Sequence, residues 1–181
     1  MIIGQRTKIR AFEENDAILF NKWRNDPEFS KLSFGEYLFP ESLDETHKWC
    51  NKLIDDEYTR FLTITTVDDR VIGRATIYDI DWRNRNCSFG SSIGEQVDRS
   101  KGYGSDARRA LLNYIFHQWD FRRVFGCFGS YNMASKRSHE KVGAHILGDL
   151  KRMLFIDGEY YSLVHYEYRR EDFQLEDKTL W

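Results

Sequence analysis

Arg99-Ser100-Lys101-Gly102-Tyr103-Gly104-Ser105-Asp106 is the stretch whose reading decides the fold. Two glycines, one residue apart, stand between a basic cluster and a long helical pattern. Without Cβ atoms, backbone at these positions can approach a ligand closely and turn its amides outward. From Ala107 onward the apolar residues Ala107, Leu111, Tyr114 and Ile115 follow i, i+4, i+7, i+8 spacing, with Arg108, Arg109 and Asn113 expected on the other face. A helix that opens right after such a turn offers unpaired N–H groups and a positive dipole end, a combination suited to phosphate. Arg99 and Lys101 add charge. The plainer alternative is a strand-to-helix loop whose glycines only turn the chain.

Three phosphate-binding patterns compete for this stretch. No GxxxxGK[ST] run occurs, which excludes the P-loop. Gly102, Gly104 and Ala107 match the letters of the dinucleotide fingerprint GxGxxA, but its context fails. Gly94-Glu95-Gln96-Val97-Asp98 separates the preceding strand from the loop, and the next strand ends in Gly129-Ser130, with no acid to hold a ribose.

Outward from the glycines, the chain alternates in character. Thr7–Ala11, Arg60–Val67, Arg70–Asp81, Cys87–Ile93, Arg123–Gly129, Ile146–Phe155 and Tyr160–Arg169 are rich in β-branched and aromatic residues and read as strands. Those from Arg60 to Ile93 are separated only by the turns Asp68-Asp69 and Asn84-Arg85-Asn86, an antiparallel meander. Glu14–Trp23 reads as a helix closed by Asn25-Asp26-Pro27, and Ser42-Leu43-Asp44-Glu45 is a capping box opening another to about Asp55. Ala134–Lys141 is a short helix ended by Gly143. The expected fold class is α+β: a mixed, mostly antiparallel sheet of about seven strands flanked by about four helices.

Arg-x-x-Gly-x-Gly after a meander and before a helix and strand resembles the GNAT superfamily of acyl-CoA N-acyltransferases. The segment Asn132-Met133-Ala134-Ser135-Lys136-Arg137-Ser138-His139-Glu140-Lys141-Val142-Gly143-Ala144 is similar to the family's Asn-x-x-Ser…Glu-Lys-x-Gly-Phe run. The branch resembled contains ribosomal-protein N-terminal, polyamine and amino-sugar acetyltransferases. The resemblance implies acetyl-CoA as acetyl-donor cosubstrate, no metal, and an amine acceptor on a small molecule or a protein N-terminus. It implies a pyrophosphate cradle at Arg99, Ser100, Lys101, Gly102, Tyr103, Gly104 and Ser105. It also implies that Ser91, Ser92 and Ile93 end a strand splayed from the next, with the pantetheine arm lying in the gap. Asn132 and Ser135 complete the coenzyme site, although Asn132 equally suits a helix N-cap.

Acetyl transfer needs a neutral amine, a donor for the developing oxyanion and help for the departing thiolate. The family often has a tyrosine where His139 stands, so His139 is the candidate acid, with Tyr131 second. No general base stands out: Asp79, Asp81 and Glu95 are near in sequence only. A covalent cysteine route lacks an accompanying histidine and acid. Trp23, Arg24, Phe34, Tyr37, Phe39, Trp49, Tyr160, Tyr161 and His165 are candidate acceptor-pocket residues. The other class kept open is a non-catalytic acyl-CoA-binding module, because His139 departs from the family tyrosine.

The bulk properties agree. With 181 residues, 41% of them hydrophobic, the chain suits one folded domain, here placed at 7–170 with a tail at 171–181. The 27 basic and 29 acidic residues nearly cancel, so nucleic acid is not an expected partner. The three scattered cysteines form no CxxC pair and fit reduced thiols. No apolar run reaches the ~18 residues of a membrane span, and no signal peptide opens the chain, so a cytoplasmic monomer or homodimer is expected.

Overall fold

The computed structural model describes residues 1–33 and 39–173. Phe34 and Tyr37, and most of the expected tail, lie outside those residues. Eight strands, β1 (Ile2–Ile3), β2 (Thr7–Ala11), β3 (Arg60–Thr66), β4 (Val71–Asp81), β5 (Asn86–Ile93), β6 (Arg123–Gly129), β7 (His145–Ile156) and β8 (Glu159–Arg169), form one sheet in the order β1-β2-β3-β4-β5-β6-β8-β7. Among the described residues, five helices flank it: α1 (Asp16–Arg24), α2 (Pro27–Leu32), α3 (Leu43–Asp55), α4 (Tyr103–Gln118) and α5 (Met133–Lys141).

The meander forms because its two turns supply what tight reversals need. Asp69 and Arg85 take the left-handed conformation, at φ 63° and 55°, and Asp81 accepts from the Asn84 amide at 2.8 Å. Every pairing in the sheet is antiparallel except β5 with β6. These two run parallel because α4 connects them as a crossover.

Two features escape the pattern of the sequence. The Asn25-Asp26-Pro27 stop is also a start: Asp26 caps the Glu28 N–H at 2.9 Å, and Pro27 begins α2. The dipeptide Ile2-Ile3 pairs with Ile9 and Lys8, and Asp106 in the first turn of α4 fixes that hairpin by accepting from the Gln5 and Arg6 amides and the Thr7 hydroxyl. The packed unit therefore begins before Thr7. Arg108 and Asn113, expected on the face of α4 opposite its apolar stripe, are also buried, at 5% and 2% exposure, because α4 packs against α5 as well as against the sheet.

The main core lies between α4 and the sheet, where Leu111, Leu112, Ile115 and Phe116 meet Ile9, Ile64, Ile72 and Ile77. A second cluster of Phe20, Trp23, Phe29, Cys50 and Phe61 binds α1, α2 and α3 to the other side. Buried Asp16 joins helix α1 to the sheet, taking a forked ion pair from Arg10 at 2.7 and 2.8 Å and the Thr63 hydroxyl at 2.7 Å. Burial alone would raise this carboxyl; the Arg10, Glu13 and Thr63 hydrogen bonds outweigh it and hold the carboxyl below its usual range. Asp16→Asn should therefore lower unfolding free energy by about 2–4 kcal/mol at neutral pH, as read by urea denaturation. A depressed native pKa contributes stability above the unfolded value and loses it as pH falls, so the gap to wild type should narrow below the carboxylate range.

Candidate active site

β5 and β6 are hydrogen-bonded only where Asn86, Cys87 and Ser88 meet Arg123, Val124 and Phe125. Beyond that point β5 stays with β4 as far as Ile93, and β6 stays with β8 as far as Gly129. The two strands part, and a cleft of about 740 Å³ opens between them, flanked by the N-terminal ends of α4 and α5. The Gly94 N–H donates to the Ile72 carbonyl on β4 at 2.9 Å. Successive amides along a strand alternate edges, so those of Ile93 and Ser91 face the parted edge.

The glycine stretch forms the mouth of the cleft. Ser100 and Gly102 are left-handed, at φ 61° and 88°, and Gly102 precedes the first helical residue. The first N–H groups of α4 have no partner within the helix, and they emerge at this turn. A Cβ on Gly104 would meet only Ile93 Cγ1, at 3.7 Å, so the protein itself tolerates a side chain there. The loop is held from behind. Asp98 is buried and takes a fork from Arg70 at 2.6 and 2.8 Å, which depresses its carboxyl.

The structure brings Ser91, Ser92, Ile93, Arg99, Ser100, Gly102, Gly104, Ser105, Asn132, Ser135 and His139 into the cleft wall. It does not bring in the side chains of Lys101, Tyr103 or Tyr131. The Lys101 carbonyl accepts from Arg6 at 2.8 Å, and its ammonium stands 3.9 Å from Asp98. The Tyr103 ring packs on the main core. The Tyr131 hydroxyl donates to the Lys31 carbonyl, and its ring stands edge-on to Tyr161. Arg99 lies in the wall, but its guanidinium donates to the Ile93 and Gly94 carbonyls at 3.3 and 2.5 Å, steadying the end of β5. Asn132 combines both expected parts. Its side-chain oxygen caps α5 through the Ser135 amide at 3.0 Å, while its Nδ2 has no partner among the described residues.

His139 is 5% exposed. Its Nδ1 lies 2.8 Å from the Tyr168 hydroxyl, and its ring stacks on Phe128 and abuts Tyr166 at a centroid distance of 4.0 Å. Burial, reinforced by the nearby Arg108 charge, pushes its pKa down to about 2. His139 is thus a neutral imidazole at physiological pH, not the donor titrating in the ordinary histidine range that its position suggests. Burial likewise pushes Tyr168 up to about 12 and Tyr166 well above its usual value.

The far end of the cleft is walled by Phe29, Trp49, Arg74, Thr76 and Tyr78. Among the described residues, Trp49 is the one expected pocket aromatic that lines it. Trp23 is core, Phe39 is 81% exposed, and Arg24 forms a bidentate pair with Glu41 at 2.7 and 2.6 Å. Arg74 stacks over Trp49, with its guanidinium carbon 4.9 Å from the ring centroid. Its signal was legible: Val71, Gly73, Ala75 and Ile77 take one parity of β4, which leaves Arg74, Thr76 and Tyr78 on the opposite face. Phe29 was hidden by the unrecognised α2. Of the candidate bases, Glu95 binds Lys22 and the Trp23 indole N–H, and Asp81 closes its own turn. Among the described residues, Asp98 is the one carboxylate in the cleft wall. Burial raises the Cys50 and Cys87 thiols to about 11 and about 12. No group of acidic, histidine and cysteine side chains suited to a metal occurs among the described residues, and none of their helices is long and apolar enough to cross a membrane.

Comparison with known proteins agrees with this geometry. Residues 6–145 match the family model described as acetyltransferase (GNAT) domain. The SPbeta prophage-derived uncharacterized N-acetyltransferase YokL of Bacillus subtilis is 25% identical over 172 residues, covering 95% of this chain and 94% of its own. The crystal structure of spermidine N-acetyltransferase from Vibrio cholerae with CoA and spermine superimposes with a TM-score of 0.83 at 22% identity, covering 92% of this chain and 96% of that one. RimL, a ribosomal L7/L12 alpha-N-protein acetyltransferase in complex with coenzyme A, gives 0.82 at 18% identity, over 92% and 96%.

Gly104→Val should leave the protein folded and weaken coenzyme A binding at least about tenfold by calorimetry, since the added branch fills the cradle rather than the core. Asn132→Asp should keep the α5 cap and melting temperature but raise the KM for acetyl-CoA, whereas Asn132→Ala should also cost about 1 kcal/mol of stability.

Proposed function

The chain belongs to the acetyltransferase (GNAT) family, and on that premise we propose that it moves the acetyl group of acetyl-CoA directly to a primary amine held beside it in the same cleft. One observation carries this reading: the parted β5 and β6 strands, with a glycine-built anion cradle at the mouth and an aromatic chamber at the far end.

Acetyl-CoA supplies the activated acyl group. The amides from Gly102 to Ser105 and the α4 dipole hold its phosphates, and the Asn132 Nδ2 donates to its pantetheine arm. The arm lies against the open edge of β5 as an added strand. The edge-facing amides of Ser91 and Ile93 polarise the acyl oxygen and answer the charge that develops there. Juxtaposing the amine with the thioester supplies much of the rate. The amine's proton passes to water, since the one carboxylate of the described wall is bound to Arg70.

The relatives act on different amines: the V. cholerae enzyme is a spermidine N-acetyltransferase, and RimL modifies a ribosomal protein at its α-amino group. Here the charged side chain in the described wall of the far chamber is a cation, Arg74, beside Phe29 and Trp49. Among the described residues, that end of the wall offers a polycation no acidic side chain. The chamber better suits an amine with a single positive charge, such as a protein N-terminus or an amino sugar.

Release of free thiol from acetyl-CoA across a panel of amines tests this. Peptides with free N-termini or amino sugars should turn over at least about tenfold better, in kcat/KM, than spermidine or spermine. Preferred turnover of a polyamine would contradict the acceptor assignment. Coenzyme A binding with no turnover on any amine would make the chain a binding module instead, the reading that a neutral His139 keeps open.

A further inference from the structure

Helix α4 carries one side chain at odds with its surroundings. Arg108 is 5% exposed, yet no carboxylate pairs with it among the described residues. Its Nη1 donates to the Ser138 hydroxyl at 2.7 Å, and its Nε is buried with no hydrogen-bond partner. A guanidinium is charged at any physiological pH, so burying it without an anion is costly. An anion that arrives from outside would offset that cost.

Arg108 lines the cleft. It lies one helical turn beyond Gly104, ~6 Å further along α4 at 1.5 Å per residue. The side chains on which its charge acts are His139 on α5 and Tyr166 and Tyr168 on β8. Tyr166 stands over Gly126, where β6 leaves β5: a Cβ on that glycine would come within 2.2 Å of the tyrosine hydroxyl. Tyr78 of β4, Cys127 of β6 and Lys141 of α5 are further titratable groups of the described wall. None of these is a carboxylate. Ser138 in turn lies 2.9 Å from the Ser105 hydroxyl, so the guanidinium also orders the hydroxyls joining α4 to α5.

We propose that Arg108 is a catalytic residue whose missing counter-charge is the thiolate of coenzyme A, which it stabilises as an anion when the acetyl group leaves. The inference rests on the acyl-transfer reading above. The amine lone pair forms the new C–N bond, the C–S bond breaks with its electrons on sulfur, and the amine proton goes to water. Sulfur leaves without being protonated, so the neutral His139 has no acid role and serves as packing against Phe128 and Tyr166.

The test titrates the thiol of coenzyme A bound to the folded protein, followed by the ultraviolet absorbance of the thiolate. Affinities for coenzyme A and for desulfo-coenzyme A are measured across the same pH range. The bound thiol should ionise at least about tenfold more readily than the free one. A bound pKa below the free value makes coenzyme A affinity rise with pH between the two, while desulfo-coenzyme A affinity stays flat. Arg108→Met should abolish both effects, and Arg108→Lys should retain part of them. A role limited to joining α4 to α5 would move stability and leave the thiol titration alone. A wild-type thiol ionising no more readily when bound than when free overturns the proposal, whether or not the methionine variant folds. So does a folded Arg108→Met protein with wild-type thiol ionisation. Failure of both coenzyme A and the desulfo analogue to bind would instead overturn the acyl-CoA reading, and this proposal with it.

Discussion

Strands β5 and β6 share only a three-residue stretch of pairing; beyond it β5 follows β4 through Ile93, and β6 follows β8 through Gly129. A sheet interrupted in this way leaves amides and carbonyls facing a gap instead of a neighbour. Exposed strand edges invite another extended chain, and a ligand with an amide-bearing arm can take that place. The crossover through α4 sets the second condition. Two parallel strands need a long connection, and the connection begins with the left-handed Gly102 at the mouth of the gap. Anion cradle and strand vacancy are thus consequences of one topological choice, and the Arg70–Asp98 and Asp106 contacts fix the loop and helix that carry it.

The charges around the cleft are arranged to leave cations in its wall. Asp98 is answered by Arg70, Glu95 by Lys22, and Glu41 by Arg24. Arg74, Arg108 and Lys141 line the cleft from three different elements. His139 adds no charge, because burial keeps its imidazole neutral. A wall built in this way suits developing negative charge, in keeping with the acyl transfer proposed above.

Much of this was legible in the sequence where local chemistry decides structure. The capping box at Ser42, the β-branched meander and the glycine pair each act within a few residues, and the structure reproduces them. What escaped depends on distant partners. Arg108 sits on the helix face opposite the apolar stripe, and its burial depends on the packing of α5 onto α4. His139 matches a family tyrosine by position, but its protonation is set by Phe128, Tyr166 and Tyr168, the nearest of them eleven residues away. Asp26-Pro27 signals both a helix end and a helix start, and the choice rests on Phe29 finding the α1–α3 cluster.

The central claim is that the pantetheine arm completes the sheet between β5 and β6, with its phosphates on the first turn of α4. Residue-resolved amide hydrogen exchange with and without coenzyme A tests it most directly. Exchange should slow together at Ser91 and Ile93 and at Tyr103, Gly104 and Ser105. Unchanged exchange at those amides under saturating coenzyme, or slowing confined to another face of the protein, would contradict it.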